Sequence, residues 1–188
     1  MGRWAPDARQ RLQEAALTLY GERGYEETTV AEIAERAGLT KRTFFRYFTD
    51  KREVLFWGSE LLEQQMVTAI EAAPDGTSAL GMLEAALSAA AVRFEEASEF
   101  AGTRHRIIAS SPELQERELI KGAALSAGVA RALRERGVPE RGAALAGLVG
   151  ASVMRVAFEE WIRDPGATPF ERFAAGALAE LHTLTRTP

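Results

Sequence analysis

The chain has 188 residues, enough for one sizeable core or for a small domain joined to a larger one. With 46% hydrophobic and 27% charged residues it reads as an ordinary soluble globular protein, and the lack of cysteine excludes a disulfide scaffold and a cysteine metal site. The net charge of −4 argues against nucleic acid only until its distribution is read: residues 1–58 hold ten Lys/Arg and nine Asp/Glu, and residues 40–52 hold five cations (Lys41, Arg42, Arg46, Lys51, Arg52) against Asp50 alone.

Strand signals are nearly absent, and Ala, Leu, Glu and Arg dominate, which favours helix. Asp7 offers an N-cap with Gln10 three residues on. A first helix is predicted to run to about Arg23, with Leu12, Ala15, Ala16, Leu19 and Tyr20 at the helix period. Thr29 and Glu32 form a capping-box pattern before a second helix, whose apolar face is Val30, Ile33, Ala34 and Ala37 and whose end is Gly38. Thr40 starts a short third helix through about Tyr47. Asp50, with Glu53 three later, starts a long fourth from Lys51 to about Ala73. A fifth is predicted from about Thr77 to Ala97, and a sixth over roughly 98–109. A seventh has Ser111 as cap and Pro112 as first residue, and ends near Arg136. "GVPERG" separates it from an eighth, about 140–163, and Thr168, Pro169 and Glu171 mark the start of a ninth. The fold class is therefore all-α, with about nine helices. The apolar run "AALAGLVGASVM" (143–154) stops at Arg155, too short to cross a bilayer, and "MGRWAPDARQ" has no apolar signal region. No membrane partner is expected, and the expected location is cytoplasmic.

Helices two and three, joined by "AGLT", have helix-turn-helix spacing. Ala34 is small where two backbones approach, Ile33 and Leu39 fill the corner, and Phe44 and Phe48 face inward. Lys41, Arg42, Thr43, Phe45, Arg46 and Tyr47 are left outside. Two exposed aromatics beside three cations are a poor solvent surface unless something binds there. The pattern fits a recognition helix: Lys41, Arg42 and Thr43 at base edges or nearby phosphates in the major groove, Tyr47 and Lys51 on the backbone. The helix starts at Thr29 and Thr40 would add amide donors to phosphate. The competing reading is a solvated face.

"TTVAEIAERAGLTKRTFFRYFTDKREVL" (28–55) resembles the DNA-binding segment of the TetR family of bacterial regulators, and the likeness covers about residues 8–58. The family often has Tyr where Phe45 stands, with a hydroxyl that contacts phosphate; here that contact is absent or made by Tyr47. "RTFFRYF" and "SPELQERELIKGAALSAGVARALRERGV" are similar to regulators whose C-terminal domain takes acyl-CoA-like ligands.

The resemblance implies residues 1–50 as the DNA-binding domain and 51–188 as the ligand-binding and dimerisation domain, with helix four as the link. It implies a homodimeric repressor on a near-palindromic double-stranded operator, released by a small, mainly apolar effector of acyl-CoA-like chemistry, with no cofactor. An activator, a corepressor-dependent regulator and a helix-turn-helix adaptor that does not bind DNA are the alternatives. Candidate pocket residues are Trp57, Leu61, Met66, Met82, Phe94, Phe100, Arg104, Ile107, Met154, Phe158 and Trp161; most large apolar residues of a bundle are simply core. Arg104, with His105 and Arg106, is read as an anion grip at a pocket mouth, as a solvated face, or as paired with Glu96 and Glu99. Gly147, Gly150, Phe173, Ala177 and Leu181 are candidates for a dimer interface on helices eight and nine, with internal core as the other reading. No nucleophile motif, phosphate-binding glycine loop or metal cluster is present in the sequence, so no enzyme activity is expected.

Overall fold

A computed structural model of the chain describes residues 8–96, 98–163 and 167–186. Its helices are α1 (Ala8–Arg23), α2 (Val30–Arg36), α3 (Lys41–Tyr47), α4 (Glu53–Phe56), α5 (Ser59–Glu71), α6 (Ala79–Glu96), α7 (Ser98–Ala109), α8 (Pro112–Glu135), α9 (Glu140–Trp161) and α10 (Phe170–Arg186). The fold is all-α, with ten helices among the described residues rather than nine. The expected cap Asp7 lies outside them. The chain divides into two compact units: residues 1–57 with 103–118, and residues 58–102 with 119–188.

The extra helix comes from a break in the long fourth one. Trp57 is extended and Gly58 takes φ 98°, a left-handed conformation that costs glycine nothing. One predicted helix thus becomes α4 and α5. Asp50 still caps α4, accepting from the main-chain N–H of Arg52 at 2.8 Å and of Glu53 at 3.2 Å. Ser111 does not cap α8 with its side chain: its hydroxyl is buried without a hydrogen-bond partner among the described residues.

The first unit is built around Leu12, Ala16 and Tyr20 of α1, Ile33 of α2, Phe44 of α3, and Val54, Leu55 and Phe56 of α4. Ile107, Ile108 and Leu114 join the same core from far along the chain. Arg104 serves it as well, donating to the Leu55 carbonyl at 2.7 Å and pairing with Glu118 at 3.2 Å. The structure gives Arg104 partners other than the expected ones. Its acid is Glu118 rather than Glu96 or Glu99, and its fork is engaged with main chain.

The second unit is a bundle of α5, α6, α9 and α10 with the remainder of α7 and α8. Phe94, Phe158, Trp161 and Phe170 form its aromatic centre; Phe94 stacks on Phe170 at 4.2 Å between ring centres. The 22-residue α9 is long and apolar enough to cross a membrane by length and composition alone, a test that the core helix of a folded bundle also passes. Its inner stripe, Ala143, Gly147, Gly150, Val153, Ala157 and Trp161, is buried in this core, as in a core helix. Its outer stripe leaves Leu145, Leu148 and Val156 in solvent.

Candidate nucleic-acid interface

α2 and α3 owe their placement to local chemistry. The Thr29 hydroxyl accepts from the Glu32 N–H at 3.3 Å while the Glu32 carboxylate accepts from the Thr29 N–H at 2.9 Å, closing the capping box. Those bonds to Thr29 hold the Glu32 carboxyl below its usual pKa. Gly38, at φ 65°, ends α2: its N–H donates to Glu35 and that of Leu39 to Ala34, the paired bonds of a Schellman turn. Two residues on, Thr40 caps α3 by accepting from the Thr43 N–H at 3.1 Å.

This start sets the roll of α3. Phe44 is 0% exposed and Phe48 is buried beside it, their rings 5.5 Å apart. Phe45, the next residue, is 56% exposed. Lys41, Arg42 and Arg46 are exposed, and Thr43 and Tyr47 half-buried. Thr40, Arg42, Thr43 and Arg46 line one recess on this face. The Arg46 guanidinium donates to the Tyr47 hydroxyl at 2.9 Å, leaving that hydroxyl its own proton to give. Arg9 lies over the same ring at 5.4 Å and over the Trp57 ring at 5.6 Å. The face is thus cationic, partly aromatic and rigid behind, which suits phosphate and base edges.

Two expected contacts take another role. Lys51 does not reach outward: its ammonium donates to the carbonyls of Tyr25 at 2.8 Å, Thr28 at 3.1 Å and Glu26 at 3.2 Å. An ammonium has three protons, and all three are spent on the turn before α2. Thr29 likewise gives its hydroxyl proton to Glu32 at 2.8 Å, and the Glu32 carboxylate occupies the start of α2, where a phosphate was expected. The spacing of Tyr20 marks it as core, as it is, and does not show what its hydroxyl bonds. Its hydroxyl donates to the Lys51 carbonyl at 2.6 Å, and burial, with Tyr25 and Asp50 nearby, pushes its pKa far above the usual phenol range.

The candidate pocket residues fall in both units. Trp57, Arg104 and Ile107 belong to the first unit, where Ile107 is core. Leu61, Met66, Met82, Phe94, Phe100, Met154, Phe158 and Trp161 belong to the second. Leu61 and Phe100 are exposed, whereas Met66 and Met82 are buried. Trp161 is fully buried, yet its indole N–H has no partner among the described residues. An open groove of about 270 Å³ between α6 and α10 is lined by Glu84, Leu87, Ser88, Glu171, Leu178 and His182, none of them a sequence candidate for a pocket.

The dimer candidates divide too. Gly147 lets α9 approach the Ser126 carbonyl of α8, and Gly150 approaches Leu83 of α6, so both serve packing within the chain. Phe173, Ala177 and Leu181 are half-buried against the same core.

Residues 12–56 match the family described as bacterial regulatory proteins, tetR family. The chain is 30% identical to PfmR, a TetR family transcriptional regulator from Thermus thermophilus, over 92% of this chain and 97% of that one, with a TM-score of 0.53. It is 31% identical over 134 residues to the HTH-type transcriptional regulator TcmR of Streptomyces glaucescens, a match spanning 68% of this chain but only 59% of that relative's length. It is also similar in fold to FadR of Thermus thermophilus, a TetR family transcriptional repressor in complex with lauroyl-CoA, at 20% identity over 96% of each chain and a TM-score of 0.57.

Proposed function

The chain belongs to the TetR family of bacterial regulatory proteins, and from that premise we propose that it is a homodimeric repressor, held on a near-palindromic operator and released by a small, mainly apolar effector. The split of α3 supports the DNA contact most directly: Phe44 is sealed in the core while Phe45, Lys41, Arg42 and Arg46 stand in solvent. In this reading residues 1–50 carry the DNA contacts and 51–188 the effector site and dimer face. Lys41, Arg42 and Thr43 meet base edges and phosphates, with Phe45, Arg46 and Tyr47 beside them.

One short helix makes few base contacts. Two copies about 34–36 Å apart double them, so a dimer is the economical reader. Leu145, Leu148 and Val156 on the outer stripe of α9, with Leu184 of α10, supply exposed apolar surface that suits a second copy of the chain. For the effector, the aromatic centre around Trp161 supports an apolar ligand with one hydrogen-bond acceptor. A fatty acyl thioester is the class we assign, consistent with the FadR relative bound to lauroyl-CoA. Such a ligand moves DNA affinity only by its preference between two states, typically about 1–3 kcal/mol.

The test is selection of bound sequences from a random duplex pool by the purified protein, followed by titration of the winner with and without lauroyl-CoA. Enrichment of one near-palindrome, bound by two chains and loosened by the thioester, is expected. A folded protein that enriches nothing would refute DNA recognition, and indifference to the thioester would refute the effector class.

A further inference from the structure

α3 offers three cations, and the structure separates them by what each already holds. The Arg46 fork is committed to Tyr47, donating to its hydroxyl at 2.9 Å with the guanidinium 4.9 Å from the ring centre. On α2, Arg36 is held by both oxygens of Glu22, at 2.9 and 3.0 Å. Lys41 and Arg42 are exposed and have no partner among the described residues. Arg42 also lines the recess between Thr40, Thr43 and Arg46.

The two free cations are not equivalent. An ammonium is a compact point charge that suits a phosphate. A guanidinium is a planar fork whose paired N–H groups match the O6 and N7 acceptors of guanine in the major groove. We infer that Arg42 is the base-reading cation of α3, that its base is one guanine in each operator half-site, and that Lys41 serves phosphate. The inference rests on the DNA-binding reading above and adds the base and the residue that reads it. Arg42 is exposed, so its replacements should retain the fold.

The experiment uses the full chain and the operator that the wild type selects. Wild type, Arg42→Lys and Lys41→Ala are each titrated against that operator and against copies with each guanine replaced in turn, at several salt concentrations. Replacing one guanine per half-site should cost the wild type about ten- to a hundredfold in affinity. Arg42→Lys keeps the charge and loses the paired fork, so its preference for guanine should weaken several-fold with an unchanged salt slope. Lys41→Ala should keep the preference for guanine while its salt slope drops by about two, one for each head of the dimer. Undiminished guanine preference in Arg42→Lys, or a selected half-site with no fixed guanine, would overturn the assignment and leave the regulator reading standing. A wild type that selects no sequence at all would sink both.

Discussion

The Lys51 ammonium donates to the Tyr25 carbonyl at 2.8 Å while standing 4.2 Å from the centre of the Tyr25 ring. With the carbonyls of Glu26 and Thr28 as further acceptors, and Tyr20 bonded to its own carbonyl, Lys51 fastens the turn that delivers Thr29 to the start of α2. On the DNA-binding reading proposed above, its part is to place α2 and α3. Lys51→Met keeps the stem and loses the bonds, and should cost about 1–3 kcal/mol in a urea melt. DNA affinity should fall with the slope of log affinity against log salt unchanged. A slope lowered by about two, one for each head of the dimer, would instead make Lys51 a phosphate ligand.

The parts of this head that could be read from sequence are the local ones. Thr29 and Glu32, Gly38, and Thr40 each act within three or four residues, and the inward roll of Phe44 and Phe48 follows from helix period. The partners of Lys51 are main-chain carbonyls 23 to 26 residues back, which carry no side-chain signature. Ile107 shows the same limit at longer range: the sequence offers it as a pocket or core residue and does not say that its core is that of the first unit. Gly58 sat in an acceptable helical pattern, and its positive φ is a tertiary outcome. The small residues of α9 signalled close approach correctly, but not whether the neighbour was α6, α8 or another chain.

Asp50 links the head to acid. Burial alone would raise its pKa from the ordinary 3.8, but bonds from the Arg52 side chain and from the amides of Glu53 and Arg52 outweigh this and lower it. A carboxyl with a lower pKa folded than unfolded contributes stability that is present above the unfolded value and is lost as pH falls through the folded one. Melting temperature should therefore drop below about pH 3.8 partly through Asp50. Asp50→Asn keeps an acceptor for the two amides and cannot titrate, so its acid limb should be shallower. Parallel limbs for the two proteins would show that other carboxyls carry the effect.

Gly147 and Gly150 differ in what a methyl group would strike. At Gly147 it meets the Ser126 carbonyl oxygen, which is backbone and cannot turn away. At Gly150 it comes within 2.6 Å of Leu83 Cδ1, the end of a flexible side chain. Gly147→Ala should reach or exceed the upper end of the usual overpacking cost of about 1–3 kcal/mol, and Gly150→Ala should fall near or below the lower end. Thermal melts that rank them the other way would contradict the α8–α9 packing.

Leu148 tests the second copy. It is 61% exposed on the outer stripe of α9, with Leu145 on the same stripe, so a charge there disturbs no core. Leu148→Glu should leave helix content and melting within about 0.5 kcal/mol of wild type for an isolated chain. Sedimentation should show the weight falling to one chain, with operator affinity reduced more than about tenfold as two-headed binding is lost. A variant that sediments as a dimer would move the interface elsewhere on the bundle.

Trp161 is 0% exposed, packed among Phe94, Phe158 and Phe170, with an indole N–H that has no partner among the described residues. An unmet buried donor costs about 1–3 kcal/mol, which an entering acceptor recovers. Trp161→Phe removes that donor and some ring volume together, so the two effects oppose. The unliganded variant should melt within about 1 kcal/mol of wild type, far less than the roughly 3–5 kcal/mol expected of Trp161→Ala. The ligand response should separate them further: lauroyl-CoA should raise the melting temperature of the wild type and do so much less in Trp161→Phe. Equal shifts in both would mean that the thioester carbonyl does not meet this indole, and a large loss of stability in the unliganded variant would mean that the donor is satisfied in the folded protein.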